Sequence, residues 1–522
     1  MRRNGVPMAF ARLAGVVLPL FSIRTRSDWG IGQISDLSAA AAFVRRAGHT
    51  LLQVLPPYEL ADGETSPYGA RTAFGLDPIY LTLERIPELA ATEGDVSEWC
   101  DAAARAERDR LRALREVDYR GVRALKNRAL DVAFRRFWDR HWTKDTSRAA
   151  ELRAFIAAES GWLRDLSLYV VLRDAHGGHG WTTWEEAARN HDAAALAAVE
   201  RDHARALVEY AYRQWLALRE WDEARRAVRN LGVELMGDLP FVVGSESADV
   251  WARPSEFRRD VSLGAPPDGF SPDGQDWGLP PYDWAAMDAN DLAWLRARTR
   301  HAARLYDRFR LDHVIGYFRM YVRKPKELGV FTPEGDDAQR KRGDHVLAMM
   351  KDEAGATRII GEDLGVIPDF ARHVLSALEI PGYRVLPWER DHEHRLRDPK
   401  NFPVASVATF STHDTAPIDA WWNDFQDYER NDFANLAGFA VTVPPFARSM
   451  ALLRTLFGSS SHLTLVLFQE LLGLTERINV PGTVGPHNWT WRIPADVESL
   501  LEDANVTSRL EAVRALVSES GR

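Results

Sequence analysis

The chain is 522 residues long, with 45% hydrophobic and 27% charged residues, ordinary values for a globular protein able to bury a sizeable core. Its 66 basic and 75 acidic residues leave a net charge of -9 with no basic block that would track phosphates, so nucleic acid is not an expected partner. Cys100 is the only cysteine, which excludes an intramolecular disulfide and a cysteine-based zinc site and fits a reducing cytoplasm.

At the N-terminus, "MRRNGVPMAFARLAGVVLPLFSI" loosely imitates a secretion signal, but Arg12 interrupts its apolar stretch and no small-residue cleavage site follows. Ala14 to Leu20 reads instead as a first buried strand. Further short apolar runs follow at 51–57, 232–241, 308–316, 357–365, 382–388, 406–414 and 462–470. Helical patterns such as "DLSAAAAFVRRAG" and "LAWLRARTRHAARLYDRF" separate most of them. Apolar strands alternating with helices imply a parallel sheet covered by helices, and a set of eight predicts an α/β fold, a closed (β/α)8 TIM barrel. About 170 residues separate the second run from the third. That stretch is charged in "CDAAARAERDRLRALREVD" and amphipathic at Val122, Leu125, Ala129, Ala133 and Phe137, which predicts a large, mainly helical insertion. The expected division is barrel over 1–89, insertion over 90–230 and the rest of the barrel over 231–522. No run of about 18 apolar residues is present, so no membrane span is expected.

In such a barrel, catalytic groups stand where strands end at the C-terminal face. Asp238 closes the third run, Arg310, Asp312 and His313 the fourth, Glu362 and Asp363 the fifth, and His413 and Asp414 the seventh. Acids at strand ends often cap the next helix or pair with arginine; Asp363, ahead of "LGVIPDF", reads as such a cap, and Asp238 as a support behind the reacting groups. Asp312, Glu362 and Asp414 together would crowd like charges without reason unless they share a reaction. Magnesium binding and glycosidic cleavage both use clustered acids on a barrel rim. Arg310, two residues before Asp312, points the same way on a strand, where it would keep that acid ionised and repel a dication. A metal is therefore disfavoured, and the leading reading expects neither a metal nor an organic cofactor. The 18 tryptophans exceed what a core requires, and indole faces stack on sugars as readily as they fill cores. "HGGHGW" (176–181) reads as a helix end with loop histidines, "RDHEHR" (390–395) as a solvated loop, and "GSESADVWARP" lacks the spacing and lysine of a phosphate loop.

In this order, "GVELMGDLPFVVGSESADVWARP", "RLDHVIG", "IIGEDLGVIP", "STHDT" and "QELLGLTERINVPGTVGPHNWTWR" resemble the 4-α-glucanotransferases called amylomaltases or disproportionating enzymes. "RLAGVVLPLFSI", "GIGQISDL", "QVLPP" and "SPYGARTAFGLDPIYL" resemble the same family's opening segment, and "GAPPDGFSPDGQDWGLPPYDW" its lid over the cleft, here 264–284. The resemblance implies a retaining mechanism with Asp312 as nucleophile, Glu362 as general acid/base and Asp414 as stabiliser of the distorted sugar. Arg310 would hold the nucleophile ionised, and His313 and His413 would bond sugar hydroxyls. Tyr68, Phe270, Gln275, Trp277 and Asn488 would supply substrate-binding surface, with maltooligosaccharides and α-1,4-glucans as donor and acceptor. Glu362 needs a raised pKa, which like-charge repulsion from the neighbouring acids would provide.

Overall fold

The computed structural model describes residues 11–267, 274–324, 327–483 and 485–522. Eight parallel strands close a barrel in sequence order: β1 (Leu13–Val17), β2 (Leu51–Gln53), β3 (Glu234–Leu239), β4 (Arg308–Leu311), β5 (Arg358–Gly361), β6 (Gly382–Val385), β7 (Ser406–Thr409) and β8 (Leu463–Leu467), which returns to β1. Each predicted run supplies one strand. The strands need no polar alternation because helices cover their outer face and their own side chains fill the inside; β8, LTLVL, is buried throughout.

Register positions the rim. Asp238 pairs with Arg310 across β3 and β4, and Leu311 pairs with Gly361 across β4 and β5. Asp312 and Glu362, the next residue of each strand, therefore leave the barrel side by side.

Between β2 and β3 the chain is mainly helical. Helix Ala102–Ala113 starts at Asp101, whose carboxylate accepts from the Ala104 N–H at 2.7 Å. Helix Tyr119–Phe137 starts at Asp118 in the same way and buries Val122, Leu125, Ala129, Ala133 and Phe137, the predicted apolar face. Helix Ser160–Ala175 ends at His176, followed by Gly177 and Gly178 at positive φ, so "HGGHGW" does mark a helix end. The 27-residue helix Ala204–Asn230 then leads back to β3. Buried side chains of this region belong to one apolar cluster with the barrel.

The segment 264–284, expected as a loop, is partly sheet. Ser262–Ala265 and Gln275–Asp276 pair antiparallel and join Met320–Arg323 and Val330–Thr332 in a four-stranded sheet. The aromatic and β-branched "MYV" of the third strand suits that pairing. Phe270 lies outside the described residues. Among the described residues no helix is long and apolar enough to cross a membrane.

Candidate active site

Arg310 organises the rim. Its Nη1 lies 2.8 Å from both Asp238 carboxylate oxygens and 2.9 Å from Asp312 Oδ1, and its Nη2 lies 3.9 Å from Glu362 Oε2. Burial works against the charge of this guanidinium, but Asp238 and Asp312 outweigh it and hold its pKa well above the ordinary arginine value. A fixed cation thus lies between three carboxylates. Among the described residues no group of three or more His, Cys, Asp or Glu is arranged to hold a metal ion.

Glu362 follows β5 and accepts hydrogen bonds from the N–H groups of His313 at 2.8 Å and Leu364 at 2.9 Å. Its pKa is pushed up to about 7. The cause differs from the expectation: burial is the largest contribution, and the nearby Asp312 adds to it, while Arg310 and the two N–H donors oppose both. Packing, more than like charge, raises this carboxyl.

His313 takes a left-handed backbone, φ 44° and ψ 55°, which turns its N–H toward Glu362. A strained non-glycine residue of this kind persists where its surroundings over-determine it. Burial lowers the imidazole to about 4, so the ring is neutral near pH 7, and it stands edge-on to Trp277 with centroids 5.0 Å apart.

Tyr68 joins the two sides of the rim. Its hydroxyl donates to Asp238 Oδ2 at 2.8 Å and lies 2.9 Å from His413 Nε2, with the phenol stacked on that imidazole. Burial, then Asp238, raises the phenol well above its ordinary value, so it stays protonated; having donated its proton to Asp238, it accepts one from His413 Nε2. Asp414 is the most open of the three acids, its side chain 41% exposed. Asn479 Nδ2 donates to its carboxylate at 2.7 Å, and Arg477 holds its backbone carbonyl at 2.7 Å. These groups surround a cavity of about 650 Å³ at the C-terminal mouth of the barrel.

The family model for 4-alpha-glucanotransferases, glycoside hydrolase family 77, matches residues 18–498. The chain belongs to the 4-alpha-glucanotransferase family. It is 30% identical over 520 residues to a 4-alpha-glucanotransferase of Streptococcus pneumoniae, covering 96% of this chain and 98% of that protein. A counterpart in Aquifex aeolicus is 29% identical over 526 residues, covering 98% and 99%. In fold, the chain is similar to the amylomaltase of Streptococcus agalactiae, solved in complex with acarbose, with a TM-score of 0.82 at 23% identity over 98% of this chain and 99% of that one. Family members transfer α-1,4-glucan segments with retention.

The structure brings Asp238, Arg310, Asp312, His313, Glu362, His413, Asp414, Tyr68 and Trp277 together around the cavity or directly behind it. Two predicted residues lie apart. Asn488 is buried and spends its amide on its own loop, accepting from Val480 N–H at 3.0 Å and donating to the Thr483 carbonyl at 2.9 Å. Gln275 is exposed and accepts from Trp277 Nε1 at 3.0 Å, so it orients an indole and does not line the cavity. Asp363 is not a helix cap: helix Asp369–Ala377 begins after Pro368 without a side-chain cap, and Asp363 instead accepts from Tyr383 N–H at 2.6 Å and Arg384 at 3.2 Å. Gln53, Tyr383 and Trp388 also line the cavity and were missed. Trp388 ends the run "GYRVLPW", and no charged residue closes that run to mark its place on the rim.

Proposed function

We propose that Asp312 is the nucleophile, Glu362 the general acid and then base, and Asp414 the acid that grips the distorted sugar as α-1,4-glucan segments move between maltooligosaccharides. The observation that carries this reading is the 2.9 Å contact of Arg310 with Asp312 beside a Glu362 carboxyl pushed up to about 7. One acid is paired with a cation and free to attack; its neighbour holds a proton to give. Asp312 bonds to the anomeric carbon as the glycosidic bond breaks, and Glu362 protonates the departing oxygen. The resulting Glu362 carboxylate then takes the proton of an incoming sugar hydroxyl, whose oxygen displaces Asp312; water in that place gives hydrolysis. The neutral His313 ring, together with the side chains of His413 and Trp277, lines the walls and offers hydroxyl and ring contacts. Phe270 of the lid is our choice for the residue that covers the intermediate. The single cysteine leads us to place the enzyme in the cytoplasm.

Incubation with maltotriose alone tests the proposal. Glucose together with a ladder of longer oligosaccharides is the expected product pattern. Shorter sugars only, with rising reducing ends, would make the enzyme an α-glucan hydrolase using the same acids.

A further inference from the structure

Asp414 is the most exposed of the three acids, so its carboxylate keeps one direction only if something behind it does the holding. The chain leaves β8 through helix Phe468–Leu472 and comes back against the end of β7 over 476–480. There Asn479 is buried and donates through Nδ2 to Asp414 Oδ1 at 2.7 Å, yet it does not line the cavity. We propose that Asn479 is a positioning residue for the transfer reaction, acting through Asp414, whose carboxylate it holds toward the cleaved sugar; this rests on reading Asp414 as the acid that grips that sugar.

The contact holds without neutralising. Asp312 is paired with a guanidinium, whereas the donor on the Asp414 carboxylate is an uncharged amide, so its negative charge stays available to a sugar that develops positive charge as the bond breaks. Because the amide occupies Oδ1, Oδ2 is the oxygen left for sugar hydroxyls. His413 Nε2 stands 3.3 Å from Oδ2 but lies closer to the Tyr68 hydroxyl, at 2.9 Å. Asn479 is itself fixed from behind. Arg477 donates through Nε to the Asn479 carbonyl at 3.1 Å and through Nη2 to the Asp414 carbonyl at 2.7 Å, so one guanidinium clamps both backbones. On either side, the Ile478 carbonyl accepts from Trp489 N–H at 2.9 Å and the Val480 N–H donates to Asn488 Oδ1 at 3.0 Å. The loop bonds of Asn488 thereby serve the site at one remove. A misplacement of about 1 Å in such a group costs on the order of a hundredfold in rate, which is what a mount held at four successive residues prevents.

Kinetics with maltotriose test the assignment. Asn479→Ala should lower kcat by about ten- to a hundredfold and move KM by less than about threefold, because a grip on the distorted sugar counts mainly in the transition state. Asn479→Asp adds a readout that a mere loop brace would not move. A carboxyl in that place donates to Asp414 while the pair holds a proton and repels it once both are ionised, with Arg477 and His413 as the other charged or titratable neighbours. The ratio of variant to unmodified kcat should therefore rise about tenfold or more between pH 8 and pH 5. Asn479→Asp keeps the side-chain volume, so it decides the matter by its pH ratio even where Asn479→Ala melts early. A kcat within about twofold of the unmodified enzyme in a folded Asn479→Ala, or one ratio at both pH values in Asn479→Asp, overturns the positioning role. Asp414→Ala is measured beside them: if it keeps kcat, the reading of Asp414 itself falls, and if it loses kcat while Asn479→Ala keeps it, only the positioning role falls.

Discussion

A carboxyl raised to about 7 titrates inside the working pH range, and Glu362 is placed to do so against the glycosidic oxygen. Because the raised pKa preserves the protonated, donating form up to about that pH, kcat/KM for an unactivated maltooligosaccharide should fall about tenfold per pH unit above it. Glu362→Gln should erase this alkaline limb and spare the first step with a glucosyl fluoride, whose leaving group needs little protonation; equal slowing of both donors would count against the acid assignment. Asp312→Asn keeps the shape and removes the nucleophile, so activity should drop by on the order of a thousandfold or more with an unchanged thermal melt. Tyr68 has a subtler part. Tyr68→Phe withdraws the donor to buried Asp238 and the acceptor for His413, a loss of about 1–3 kcal/mol in stability that a urea titration would register.

Between elements, the carboxylate of Asp363 ties β5 to β6, and Gly382 makes room for it. A Cβ at Gly382 would lie 2.5 Å from both Asp363 carboxylate oxygens. Gly382→Ala must therefore displace Asp363 and free the buried Tyr383 N–H, at an expected cost of about 1–3 kcal/mol in chemical denaturation. Tyr383 lines the cavity, so activity should fall along with stability. On the proposed role of Phe270, which lies outside the described residues, Phe270→Ala should raise free glucose relative to longer oligosaccharides at matched donor conversion. An unchanged ratio in a destabilised variant would leave Phe270 as a packing residue.

Across the whole molecule, a buried cation ties helix Tyr119–Phe137 to the segment that follows β2 and to the loop after β1. Lys126 is 1% exposed, and its Nζ donates to the carbonyls of Ile79 and Leu81 at 2.8 Å and to Gln33 Oε1 at 3.1 Å. Lys126→Met fills the same volume and leaves those acceptors unpaired, so stability should fall by on the order of 2–4 kcal/mol. We propose that residues 90–230 are a structural subdivision but melt with the barrel; the variant should then shift one cooperative calorimetric transition. Two separated transitions would show an independently folding insertion.

How much of this was legible in the chain depends on the range of the interaction. Apolar runs and helical periods are local, so the eight strands, the insertion's apolar face at Val122, Leu125 and Ala129, and the acids closing the runs could be read one segment at a time. Arg310 and Asp312 could be paired because two residues along a strand face the same way. The sequence alone thus determined the barrel, the three carboxylates and, through its motifs, the family. What it left open depends on neighbours far along the chain. Asp363 reads as a cap until β6 presents the Tyr383 N–H, and Asn488 reads as a ligand until its own loop folds around it. Tyr68 and Asp238 are 170 positions apart in sequence and 2.8 Å apart in space. Burial is a property of the packed fold, so only the tertiary structure could show that desolvation more than like charge raises the Glu362 carboxyl.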